Sequence, residues 1–165
     1  MRNLLEQIQN GLRSDLYYLS LFAALSLPDI CGAMEATDGT ASPDNYIHWF
    51  DEYVSPHYSG TFTGNDCYIF RCSLLHQGSS QHPKSNYSRV LFIEPNTTTN
   101  VFHNCAIKGA LNIDIRIFCN DLIEGVIQWL EKVERTSLYT QNYDKFMRRY
   151  PNGLPPYIIG VPVIS

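Results

Sequence analysis

Leu5, Ile8, Leu12, Leu16, Leu19 and Ala23 recur at three- and four-residue steps. That spacing gathers side chains on one stripe and predicts a long first helix. Pro28 is expected to end or kink it. Because proline is also accepted in a first helical turn, Pro28 to Glu35 is expected to form a short second helical segment. Thr37 to Ser42 reads as a loop, and Ser42-Pro43-Asp44 as a helix start: a capping hydroxyl, a preset φ and an acid at the positive end. That helix carries Tyr46, Ile47, Trp49, Phe50 and Tyr53, and Pro56 closes it. Thr63-Gly-Asn-Asp66 is another start, opening a helix from Cys67 to Gln77 that Gly78 stops in the left-handed conformation. Residues 79–87 are polar and without period, which predicts an exposed loop.

The middle of the chain changes period. Ser88 to Glu94 is β-branched and aromatic, and Val101 to Cys105 matches it across Pro-Asn-Thr-Thr-Thr-Asn, so a β-hairpin is expected, with a short third strand at Leu111 to Ile115. Ile115, Phe118, Leu122, Val126, Trp129 and Val133 then mark a last long helix, and Tyr139 to Arg149 another short one. The end holds four prolines in twelve residues, beginning at Pro151, and reads as extended chain whose apolar Ile158 to Ile164 must lie against something. The expected fold is mainly α: a bundle of about four to five helices with a β-hairpin insert at about 88–105, one domain over 1–150, and an extended Pro-rich tail over 151–165.

Composition narrows the function classes. A chain of 165 residues with 44% hydrophobic content can bury one core. A net charge of −4 argues against a general nucleic-acid coat protein, though not against a local basic site. Five cysteines without a CxxC pair argue against a zinc ribbon or a disulfide framework, and no pair of His or Cys has ligand spacing, so neither metal nor cofactor is expected. The apolar stretch Leu16 to Leu27 is shorter than the roughly 20 residues that span a bilayer and has no leader-like flank, so no membrane partner and a cytoplasmic location are expected.

The residues with chemical promise are Arg71 and His76. Five helical steps turn about 140° and rise ~7.5 Å, so the two side chains are not expected on one face. A two-fold dimer crossing this helix with its mate is the expected way to bring both to one bond. Imidazole titrates near neutrality and can take a proton from a ribose 2′-hydroxyl, while guanidinium forks onto phosphate oxygens. Together they suit metal-free RNA cleavage by internal transesterification. Lys84 and Arg89 flank the loop after His76 and are candidates for steering a phosphate backbone.

Arg-x4-His near the end of a helix, with Gly78 two residues on, resembles the signature of the HEPN superfamily, helical-bundle proteins of prokaryotic toxin–antitoxin, defence and RNA-processing systems. The resemblance implies a metal-independent ribonuclease acting as a homodimer on RNA, with Arg71 and His76 as the catalytic pair and a cognate antitoxin or other protein as partner. The residue after the arginine in that family is usually Asn, Asp or His; Cys72 departs from it. Leu27 to Ala33 and Cys72 to Gly78 are also similar to stretches shared by a group of bacterial proteins.

Simpler roles compete with each of these. Arg71 can form a structural ion pair with Asp29 or Glu35, and His76 can cap its helix C-terminus. His48 and His57 read as surface or interface residues, His82 as a loop residue and His103 as a strand residue. Cys67 and Cys72 read as core thiols. Lys145, Arg148 and Arg149 form a basic cluster that can do no more than answer a helix dipole. The alternative function is therefore a non-catalytic helical module that dimerises and binds a protein, with small-nucleotide binding without turnover as a third reading.

Overall fold

The computed structural model describes residues 1–97 and 99–165, and they form a mainly helical fold with small sheets. Helices α1 (Arg2–Arg13) and α2 (Tyr17–Leu25) replace the single long helix expected from the stripe. The break lies at Ser14–Leu16, where Asp15 takes a left-handed φ of 56°. It resets the buried face. Leu5, Ile8 and Leu12 are buried in α1, but α2 buries Ser20, Leu21, Ala24 and Leu25 and leaves Leu16 and Leu19 at the surface.

Helix α3 (Leu27–Glu35) follows almost directly, with Pro28 in its first turn. Ser26 between them keeps right-handed helical angles. The helical stretch Tyr17–Glu35 is therefore 19 residues long with mean hydropathy 1.3, longer than the apolar run seen in sequence, and half of it is buried in the protein.

Helix α4 (Pro43–Tyr53) starts at Ser42, whose hydroxyl accepts from Asn45 N, and gives way to a 3-10 turn at Ser55–Tyr58 that contains Pro56. Helix α5 (Gly64–Gln77) carries a full capping box: Thr63 accepts from Asp66 N while Asp66 accepts from Thr63 N, and Gly78 closes it with φ 64°. Helix α6 (Ile115–Val133) is capped by Asp114, which accepts from Arg116 N and Ile117 N. A short α7 (Ser137–Tyr143) ends before Arg149.

Helices α3, α4 and α5 pack in sequence, α2 and α4 lie on α6, and α7 lies on α3. Gly125 lets α4 and α6 approach closely: an added Cβ would sit 3.1 Å from Tyr53 and 3.2 Å from Trp49. Trp49 is buried at this contact, and Trp129, buried further along α6, donates its indole N–H to Glu35 Oε2 of α3 at 2.6 Å.

The strands pair differently from the expected hairpin. Strand β1 (Arg89–Ile93) lies parallel to β3 (Ala110–Asp114), and β2 (Cys105–Ile107) runs antiparallel to β3, giving the order β1-β3-β2. Residues 101–104 are not a strand, so His103 is not a strand residue. The tight turn is Lys108-Gly109, both at positive φ (50° and 80°), a geometry whose twist suits a two-residue hairpin connection. The end of the chain is not extended. Arg149–Tyr150 (β4) pairs with Val163–Ile164 (β7), and Gly153–Leu154 (β5) with Ile158–Ile159 (β6). This segment folds back on itself, and most of its apolar side chains remain exposed, Ile159 at 74%.

Candidate functional site

Asp29 stands in the first turn of α3 and Arg71 in the middle of α5, and the stacking of both helices on α4 brings them together. Arg71 Nη2 is 2.6 Å from Asp29 Oδ2, with side chains only 20% and 15% exposed. The contact is short but out of line: Asp29 Oδ2 and Arg71 Nε are buried without an aligned hydrogen-bond partner. The two partners respond differently. Burial pushes the Asp29 carboxyl above its ordinary value despite the opposing pull of Arg71 and His76. Burial also works against the Arg71 charge, but Asp29 and Cys72 outweigh it and the guanidinium holds its proton more tightly than usual. Glu35 takes no part, since it accepts from Trp129 instead.

Helical spacing sets Arg71 and His76 on different faces, yet their side-chain ends meet within one chain. Arg71 Nη1 lies 3.3 Å from His76 Nε2. Their Cα positions do diverge around the helix, but an arginine stem is long enough to lie along it and reach the exposed last turn. Guanidinium only donates, so Nε2 accepts in this contact and the imidazole proton is assigned to Nδ1. The same Nη1 lies 3.9 Å from Cys72 Sγ. The result is a line of three groups from interior to surface: a carboxylate, a cation and an imidazole.

Lys84 and Arg89 are exposed, and neither forms an ion pair among the described residues. Val90 N donates to Ser80 O at 3.1 Å, which holds Arg89 beside the chain that leaves α5. The loop between them is partly tied down, with Asn86 Nδ2 on Asp66 Oδ1 at 2.8 Å and the Tyr87 hydroxyl on Thr61 O. His48 is exposed and 3.7 Å from Glu52. Arg148 is engaged by Tyr143, Tyr150 and Asp144, so the basic cluster near the C-terminus is partly spent on local contacts.

A second polar cluster was not foreseen. Buried Tyr58 donates its hydroxyl to Asp121 Oδ2 at 2.9 Å, and the His103 ring lies 5.3 Å from the Tyr58 ring. Burial raises the Asp121 carboxyl, against the Tyr58 hydrogen bond and the nearby His57 and His103. Burial lowers His103, whose Nδ1 is enclosed without a partner. Cys67 is buried against the Tyr46 hydroxyl at 3.4 Å, whereas Cys72 is partly exposed; all five thiols are free. Among the described residues, no three His, Cys, Asp or Glu side chains gather as a metal site. Compared with the sequence patterns of known families, with curated proteins and with solved structures, the chain finds no match.

Proposed function

We propose that this chain is a HEPN-like, metal-independent endoribonuclease that works as a cytoplasmic homodimer, its helices forming the bundle and its small sheet the insert. The observation that carries the reading is the 3.3 Å contact between Arg71 Nη1 and His76 Nε2, with the histidine at the surface and the arginine anchored from behind by Asp29. Substrate phosphate would draw the outer guanidinium nitrogen away from Nε2, freeing its lone pair to take the 2′-hydroxyl proton. The 2′ oxygen then bonds to phosphorus, the bond to the 5′ oxygen breaks, and that oxygen takes a proton from His76 of a second copy, which enters as imidazolium; the two histidines end with their protonation states exchanged, and solvent resets them. The products are a 2′,3′-cyclic phosphate and a 5′-hydroxyl. Lys84 and Arg89 would steer the backbone, and a cognate antitoxin or other protein would act by covering this surface.

The test is cleavage of single-stranded RNA in the presence of a chelator. His76→Ala should lose roughly 10²–10⁴-fold in rate with its melting temperature unchanged, since the side chain is exposed. Cleavage that survives in this variant, or that needs a divalent metal, overturns the reading.

One observation favours the non-catalytic module. Helix α2 presents Leu16, Tyr18 and Leu19 at 50%, 77% and 66% exposure, beside an apolar groove of about 400 Å³ against α1. An uncharged face of this kind marks an interaction surface. Absence of any cleavage, with association that Leu19→Glu abolishes, selects this reading.

A further inference from the structure

A different part of the molecule holds a guanidinium with no internal partner. Arg116, in the first turn of α6, is partly buried, yet its side chain meets no carboxylate or hydrogen-bond acceptor among the described residues. It lines a groove of about 210 Å³ with Gln9, Leu12, Arg13 and Asn120. Arg13 is exposed at the end of α1, and only its Nη1 is engaged, on Asn10 Oδ1 at 3.2 Å. Two cationic side chains therefore line one small groove, along with two amide side chains.

Arg116 and Asn120 also belong to a neighbouring groove of about 330 Å³, whose walls include Glu94, Pro95, Val101 and Phe102. The two grooves thus share a wall: the first is lined by cations and amides, the second by apolar and amide side chains together with the carboxylates Glu94 and Asp114. The amides at the start of α6 do not contribute, because Asp114 already accepts from Arg116 N and Ile117 N. The positive end consists of guanidinium groups alone.

From this shared wall we infer that the adjoining grooves together bind a nucleoside monophosphate. Arg13 and Arg116 clamp the phosphate, which matches the forked geometry and full charge of guanidinium. The ring of Phe102 and the ring of Pro95 offer the base an apolar wall. Glu94, on the same wall, is an acceptor for ribose hydroxyls and pairs with neither arginine. The volume is at the lower end of small-ligand sites, roughly 300–1,000 Å³, so it suits a mononucleotide and excludes a duplex. The site uses neither Arg71 nor His76 and does not depend on the nuclease reading.

Titration calorimetry at low salt with AMP, adenosine, inorganic phosphate and a 5′-phosphorylated trinucleotide tests this. AMP is expected to bind, with adenosine and phosphate each at least about tenfold weaker, because each lacks half of the contacts. Arg13→Gln and Arg116→Gln should each weaken AMP by roughly ten- to a hundredfold, the range for a lost charge-assisted contact, while His76→Ala leaves it unchanged. If Arg116→Gln lowers the melting temperature, Arg13→Gln decides, since that side chain lies outside the core. Adenosine or phosphate binding as tightly as AMP overturns the inference, as does unchanged AMP binding in the double variant. A trinucleotide that binds where AMP does not also overturns it and assigns the groove to RNA.

Discussion

Asp29 and Asp121 are both carboxylates drawn out of water, and each faces a different kind of partner. Asp29 meets a guanidinium, whereas Asp121 meets a phenol, with two imidazoles nearby. In both, burial is the largest influence and raises the carboxyl above its ordinary value. A full positive charge at 2.6 Å does not reverse that at Asp29. The lesson is that burial outweighs a single favourable partner in both settings, whether that partner brings a full charge or one aligned hydrogen bond. The first cluster opens to the surface through His76; the second closes over His103.

The largest effect is expected from separating the charges. Asp29→Ala leaves the Arg71 cation buried without its counterion and should cost about 3 kcal/mol or more, read as a lower urea midpoint. Replacing both residues, with Asp29→Leu and Arg71→Leu, should recover most of that loss. If the double variant is as unstable as the single one, the two groups are not energetically coupled.

A smaller loss is expected at the neutral pair. Tyr58→Phe keeps the ring contacts but removes the donor to Asp121, for about 1–2 kcal/mol. The Asp121 carboxyl should also move further upward, because the bond being removed favours its charged form. An NMR titration of that carboxyl checks the direction, and a downward move would contradict the account.

The smallest effect is a slope. A lowered imidazole contributes stability above its ordinary value of 6.5 and loses it as the pH falls through the depressed folded value. Raised carboxylates behave oppositely: Asp29 and Asp121 favour the fold below the ordinary value of 3.8 and lose that contribution as the pH rises through their folded values. Acidification from neutrality should therefore first lower the urea midpoint through His103. His103→Gln should flatten that first decline. Identical slopes in the two proteins would remove His103 from the explanation.

The sequence revealed most where local chemistry decided the backbone. Ser42 with Pro43, Thr63 with Asp66, and Gly78 are self-contained capping signals, and α4 and α5 begin or end on them. The division between α1 and α2 was hidden because the three- and four-residue spacing runs across it, while the break itself depends on one left-handed residue, Asp15. Strand pairing was hidden for another reason: alternation shows that Arg89–Ile93 is a strand but not which way its neighbour runs. Lys108-Gly109 was the overlooked turn.

At the candidate site, Asp29 was already a possible partner for Arg71. The direct meeting of Arg71 with His76 was missed because counting helical steps places Cα atoms, not the ends of long side chains. Tyr58 and Asp121, 63 positions apart, carry no shared local pattern.

The close approach of α4 and α6 at Gly125 has a practical consequence. Trp49 lies at that approach and Trp129 lies further along α6 against Glu35 of α3 and Tyr139 of α7, both enclosed by protein, while the folded-back C-terminal segment contains no tryptophan. Tryptophan emission from this protein is thus an optical gauge of the seating of α6 among its neighbours. It will register the loosening of α6 from α3, α4 and α7 and stay silent when the last seventeen residues come loose.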